Sequence, residues 1–276
     1  MAGDAVSYNN EREIRMDWIE ATGIGLRYAM SGEGSETLVL VHEMGGTLDS
    51  WDMLVPQLDP RFRVLRYDTR GAGISTKARS PMSIDTMAQD LESLLDALDI
   101  RDPIVLAGCA VGGAIALQFA ATRPQRVRGL IAMGPATGIP MERRQAILDY
   151  ADTVQRNGMV AVAETELART YPEILRGDLA RFQKFRARWL ANDPDSYAAI
   201  YRMLAGLEME ASIASIRCPT LFLAGEHDPL RPPAMIEPLS RLVPGASFKA
   251  VPSGHFMAVQ TPEIVAEAFN GFLAKV

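Results

Sequence analysis

Apolar residues fall into two rhythms along this chain. Short, largely apolar stretches at residues 37–41, 63–67, 103–106, 127–133, 219–224 and 247–251 predict strands, and the continuous run at 37–41 is of the kind found in the middle of a parallel sheet. Ahead of them, residues 13–21 and 25–30 predict two strands of a hairpin, turning at Thr22-Gly23-Ile24. Between the runs the period lengthens. Over residues 83–98, Met87, Leu91, Leu94, Leu95 and Leu98 form one helical stripe, with Asp85, Asp90 and Glu92 off it. Residues 51–58, 114–120, 232–242 and 261–275 predict further helices. Strand–helix alternation of this kind implies an α/β sheet with helices on both faces.

One stretch breaks the alternation. From Met141 to about Glu210 the pattern is helical throughout, rich in Arg, Glu and Ala, with breaks expected at Pro172, Asn192-Asp193-Pro194 and Gly206. It predicts a helical lid inserted into the sheet domain. The expected division is a core of residues 1–136 and 213–276 and a lid of residues 137–212.

Composition narrows the class. A chain of 276 residues with 48% hydrophobic and 22% charged residues is an ordinary globular protein. The net charge of −6 gives no reason to expect nucleic acid or an anionic membrane as partner. Two cysteines, Cys109 and Cys218, make no disulfide framework and fit a reducing compartment. Met1 to Met16 is polar and charged, without the apolar core of a secretion signal, and no run approaches a membrane span. The expectation is a soluble cytoplasmic protein that takes a small-molecule substrate and needs no cofactor or metal. Whether it forms a homodimer is left open.

The candidate chemistry centres on Gly108-Cys109-Ala110-Val111-Gly112, between a predicted strand and a predicted helix. Small residues flanking one central position mark a nucleophile elbow, usually Gly-x-Ser-x-Gly. Here the central residue is Ala110, which carries no nucleophile. Centring on Cys109 instead would put Val111 where the helix approaches and leave Gly108 and Gly112 without purpose. Two further loops follow strands: Gly225-Glu226-His227-Asp228-Pro229-Leu230 and Pro252-Ser253-Gly254-His255-Phe256. The order of elbow, acid and histidine is that of α/β-hydrolases.

With these segments, Leu40-Val41-His42-Glu43-Met44-Gly45-Gly46 and Asp68-Thr69-Arg70-Gly71-Ala72-Gly73-Ile74-Ser75, the chain resembles the α/β-hydrolase superfamily over nearly its whole length. It looks most like the small lidded members: enol-lactonases, carbon–carbon bond hydrolases and esterases. The resemblance implies a mostly parallel eight-stranded sheet flanked by helices, with an inserted helical lid. It implies Asp228 as acid, His255 as base, and an oxyanion hole from the backbone N–H groups of Met44 and Val111. Two positions depart from the family: Glu43 stands where Gly is usual, and Ala110 where Ser, Asp or Cys is usual. Family members that act as aminoacrylate or carbamate hydrolases carry Gly-His-Ala-Leu-Gly at the elbow, a precedent for a natural alanine.

Several readings stay open on the sequence. Ala110 is either a natural departure or a replacement of a native Ser. Cys109 is a small buried apolar group or a reactive thiol at the pocket. Glu43 is a solvated loop residue or a second acid–base group facing the pocket. His42 reads as a packed residue under its loop, and Asp68 and Arg70 as residues that order theirs. Three functions fit: a Ser-type hydrolase of a small ester, lactone, or C–C or C–N bond next to a carbonyl; a non-covalent hydrolase using His255 and Asp228; or a small-molecule receptor on a hydrolase fold.

Overall fold

The structure, a computed structural model, describes residues 14–276. The expected strand residue Glu13, and most of the polar start, lie outside the described residues. Eight strands form one sheet in the order β1-β2-β4-β3-β5-β6-β7-β8. They are β1 (Ile14–Ala21), β2 (Ile24–Ser31), β3 (Glu36–Val41), β4 (Phe62–Tyr67), β5 (Ile104–Cys109), β6 (Val127–Met133), β7 (Thr220–Gly225) and β8 (Ser247–Val251). β1 and β2 are antiparallel, as are β2 and β4; every other pairing is parallel. This is the alpha/beta hydrolase architecture expected from the sequence.

The central strands are largely apolar because both faces are covered. Val39, Val41, Leu106 and Leu130 pack to one side, with α1 (Ile84–Ala97) and α2 (Val111–Thr122). Their neighbours Leu38, Leu40, Val105 and Ile131 pack to the other, with Trp51, Val265 and Phe269. Burial at this level contributes roughly 1.5–3 kcal/mol per large side chain. α1 begins where the side chain of Ser83 accepts the Thr86 N–H at 3.0 Å.

The inserted helices are α3 (Met141–Asn157), α4 (Ala163–Thr170), α5 (Leu179–Leu190) and α6 (Pro194–Ala205). Asp193 caps α6, accepting from Ser196 N–H at 2.9 Å, and Pro194 fills a first-turn position whose N–H would have no partner. Gly138 and Glu208 pair in an isolated antiparallel bridge, which brings the two ends of the insertion together. α7 (Glu210–Ala214) follows, and its Ile213 is buried in the sheet core. The chain closes with α8 (Pro233–Ser240), α9 (Met257–Gln260) and α10 (Pro262–Leu273). Among the described residues no helix is long and apolar enough to cross a membrane.

Three local expectations change. Residues 51–58 are not a helix but lie across two 3-10 turns, Leu48–Trp51 and Val55–Gln57, the second carrying Pro56 in its first turn. Asp90 is buried rather than solvated, because its carboxylate receives Arg70 Nε at 2.8 Å and Nη2 at 2.5 Å. Strand β5 runs on to Cys109 and α2 begins at Val111, so the turn between them is one residue long.

Candidate active site

Ala110 is that residue. Its φ of 51° and ψ of −113° lie where side-chain-bearing residues rarely go, at a cost of about 1–3 kcal/mol. Three backbone hydrogen bonds hold it there. Its N–H donates to Met133 O at 2.9 Å, and its carbonyl accepts from Ala114 N–H at 3.1 Å and Ala136 N–H at 2.9 Å. The flanking glycines are needed for contact. A Cβ on Gly108 would collide with the Gly112 carbonyl, and one on Gly112 with the carbonyls of Val41 and His42. Strand β5 and helix α2 therefore approach each other, and β3, at backbone distance.

The acid and base loops meet beside this turn. Glu226 N–H donates to Val251 O and His227 N–H to Ser253 O, each at 2.9 Å, tying the loop after β7 to the loop after β8. His255 Nδ1 lies 2.8 Å from Asp228 Oδ2. The other carboxylate oxygen, Oδ1, accepts from Leu230 N–H at 2.8 Å and Arg231 N–H at 3.1 Å. Burial pushes the Asp228 carboxyl up, but the imidazole and these two N–H groups outweigh it and hold the group below the usual carboxylate range. An ionised Asp228 fixes the proton on Nδ1 and leaves Nε2 as the basic nitrogen. His227, by contrast, is exposed and turned out of this arrangement.

Gln260 secures the histidine loop and was not legible as a site residue. Its Oε1 accepts Phe256 N–H at 2.9 Å, and its Nε2 donates to Thr170 O on the inserted α4 at 3.0 Å. A polar residue at a helix end gives no signal of its own; only the buried position makes it a brace.

The loop after β3 is braced in the same manner. Thr69 N–H donates to His42 Nε2 at 3.0 Å, so the ring proton sits on Nδ1, which donates to Glu43 O at 2.7 Å. His42 is the packed residue expected. Glu43 matches neither reading open on the sequence: it is 1% exposed, and its carboxylate accepts from Ser50 Oγ at 2.7 Å. It is absent from the cavity lining, as is Cys109. Cys109 packs with Leu40, Met133 and Met257, and its Sγ donates to His255 O at 3.4 Å. Burial, with Glu43 and Asp228 nearby, pushes its thiol well up, so it stays protonated. Asp68 orders its loop by accepting Leu48 N–H at 2.8 Å and Ile74 N–H at 3.2 Å.

Ala110, Met44, Val111 and His255 line one cavity under the inserted helices. Met44 and Val111 are alike in one respect. Among the described residues, no carbonyl or side chain accepts the backbone N–H of either. For Val111 this follows from its place in the first turn of α2, where N–H groups have no helical partner. The lining also includes side chains that no sequence motif marked: Arg143, Glu166, Arg169, Tyr197, Tyr201 and Arg231. Glu166 is buried and paired with Arg169 at 2.6 Å, with Tyr201 Oη at 3.5 Å. Arg231 stands three residues after Asp228, and that proximity was the one available signal.

With the geometry in hand, the comparisons are direct. The family model described as alpha/beta hydrolase fold matches residues 36–262. The RutD protein of Azorhizobium caulinodans, named for carbamate hydrolysis, is 30% identical over 261 residues, covering 91% of this chain and 96% of its own. The 3-oxoadipate enol-lactonase 2 of Acinetobacter baylyi is 25% identical over 256 residues, covering 92% and 93%. Among solved structures, the enol-lactonase from Burkholderia xenovorans superimposes with a TM-score of 0.87 at 25% identity, covering 94% of this chain and 100% of that one.

Proposed function

The chain belongs to the alpha/beta hydrolase fold family and is a hydrolase, and from that premise we propose that it cleaves a small carbonyl compound, of the enol-lactone or carbamate kind, without a covalent intermediate. Ala110 offers no nucleophile, so the attacking group is water. His255 Nε2 takes the proton from that water as it adds to the carbonyl carbon. Asp228 orients the ring and stabilises the imidazolium that forms. The backbone N–H groups of Met44 and Val111 receive the negative charge that develops on the carbonyl oxygen, each worth ~3 kcal/mol or more. The imidazolium then returns its proton to the departing oxygen or nitrogen. The helices of residues 137–212 act as the lid that keeps bulk water from the site.

The observation that carries this reading is the 2.8 Å His255–Asp228 bond at a cavity that Ala110 also lines. The strained turn supports it. A receptor with no reaction to catalyse has no use for a turn costing about 1–3 kcal/mol. Here the turn aims the unpartnered start of α2 at the cavity even though no nucleophile sits on it.

The test is turnover of a panel of enol-lactones, carbamates and activated aryl esters, read together with intact-mass spectrometry. The expected result is turnover that His255→Ala lowers by ~10²–10⁴-fold, with no acyl adduct on the protein. Ala110→Ser should add a transient adduct with the aryl esters. Turnover that His255→Ala leaves unchanged would overturn the reading. Tight ligand binding with no turnover on any member of the panel would favour the receptor.

A further inference from the structure

The cavity holds more positive charge than its own walls neutralise. Three arginines line it, and only Arg169 has a carboxylate partner, Glu166. Among the described residues the Arg231 guanidinium donates only to backbone carbonyls, to Leu230 O at 2.9 Å and to Gly138 O at 3.3 Å. Among the described residues Arg143 makes no side-chain hydrogen bond or ion pair, and it sits exposed on the first turn of α3. The nearest carboxylate to Arg231 is Asp228, whose oxygens are already taken by His255 and two N–H groups. Burial and the like charge of Arg143 push the Arg231 guanidinium down, against the pull of Asp228 and Tyr201. A partly buried guanidinium such as that of Arg231 is costly without an anion, and its planar fork suits a carboxylate or phosphate.

We propose that Arg231 and Arg143 form an anion subsite of the cavity that receives a carboxylate carried by the substrate. This rests on the cavity being the substrate site, and it names the substrate class: small acidic lactones, carbamates or half-esters rather than neutral ones. A guanidinium fork matches a carboxylate in two parallel hydrogen bonds, which fixes the direction of the substrate as well as its affinity. Arg231 also follows Asp228 on one short loop, so a carboxylate held there is a fixed length from the base. The apolar remainder of the lining, Ile139, Ile147, Leu204 and Met235, suits the short carbon chain between the two groups.

The experiment is calorimetric binding of glutarate and of its neutral isostere glutaramide to the intact protein, repeated with R143Q, R231Q, R231K, the R143Q/R231Q double variant and H255A. Wild type should prefer glutarate by ~10–100-fold, the range of charge-assisted hydrogen bonds. The preference should shrink in R143Q and vanish in the double variant, with R231K retaining part of it. It should weaken with added salt. R143Q alters an exposed side chain and so reports even if R231Q fails to fold. Equal binding of the two compounds to wild type, no binding of either, or a preference that survives the double variant would overturn the proposal. H255A separates this inference from the base assignment: it should keep the glutarate preference whether or not it loses turnover. A glutarate preference in a protein whose turnover ignores His255 would retain the subsite and reject the mechanism.

Discussion

Helices α2 and α5 each have twelve residues, yet α2 buries ten of them while α5 buries Phe185 and Trp189 alone. α2 runs beneath the elbow against β3, β5 and β6, so its sequence is mostly Gly, Ala and aliphatic residues, with Gln118 and Phe119 also buried. α5 has solvent along most of its length: Leu179, Ala180, Gln183, Lys184 and Ala187 are exposed, and its three arginines are half-exposed. The sheet side owes its geometry to backbone contact, which admits almost no variation. The inserted side is held by an aromatic cluster, in which Phe185 meets Phe256 at 4.6 Å between ring centroids, and by ion pairs. On the proposed mechanism the acid and base stand on loops at the sheet tips, and the proposed anion subsite spans the two regions, with Arg231 on a sheet-tip loop and Arg143 on α3.

The comparison is broken most forcefully at Gly112. Gly112→Val sets a branched side chain against the carbonyls of Val41 and His42, where neither backbone can retreat. The expected loss is about 4 kcal/mol or more, read as failure to fold or collapse of the denaturant midpoint. Val154 on α3 faces the aromatic cluster instead. Val154→Ala should cost only about 1–3 kcal/mol and leave a folded protein. Equal losses at the two sites would show that the insertion is as tightly built as the elbow.

Next in size is the base and its orienter. Asp228→Asn removes the acceptor that holds the His255 proton on Nδ1, and kcat should fall ~10³–10⁴-fold with little change in KM. The same variant sharpens the stability side. The folded Asp228 carboxyl sits below its unfolded value of roughly 3.9, so its contribution is present above that value and is lost as pH falls through the folded one. Wild type should therefore lose stability below about pH 4 more steeply than Asp228→Asn, as followed by thermal melts.

How much of this was legible follows the same division. β3, β5 and β6 announce themselves as largely apolar runs because they are covered on both faces. Ala110 could be placed in the turn, despite having no nucleophile, because Gly108 and Gly112 answer to backbone collisions that leave no other choice. Asp228 and His255 followed from loop order. Glu43 could not be read, since a carboxylate beside Gly and Met gives no sign that Ser50, seven residues on, will receive it inside the protein. Asp90 failed for a related reason: it falls off the apolar stripe, yet Arg70 comes from another loop to pair with it. Arg143 and Glu166 sit on inserted helices whose polar pattern shows a solvated face, and Arg231 in a Pro-rich loop; only the placing of the insertion over the sheet tips brings the three to one cavity.

A smaller effect is expected at Glu166, which neutralises Arg169 in the cavity wall. Glu166→Gln leaves that guanidinium without its anion. Because the Arg169 side chain is more than a third exposed, solvent screens the loss and the expected destabilisation is only about 1 kcal/mol. The same change adds an uncompensated cation to the cavity, so glutarate affinity should rise a fewfold. A fall in glutarate affinity would show Glu166 shaping the wall rather than tuning its charge.

The smallest effect belongs to the seam between the two regions. Asn192, just after α5, donates its side-chain Nδ2 to Gly45 O at 2.9 Å, and so ties the insertion to the loop that bears the Met44 N–H. That amide also reaches Trp189 O at 2.9 Å, leaving it braced from its own helix end. Asn192→Ala removes a hydrogen bond worth about 1 kcal/mol and little packing, so the melting temperature should shift by only a few degrees. If the Met44 N–H is held in place from the insertion side, kcat should drop several-fold while KM and the glutarate preference stay put, because the loss falls on the transition state alone. If kcat is unchanged, the bracing of that loop by His42, Glu43 and Ser50 suffices, and the rigid side of the molecule positions the oxyanion donors without help from the helices above it.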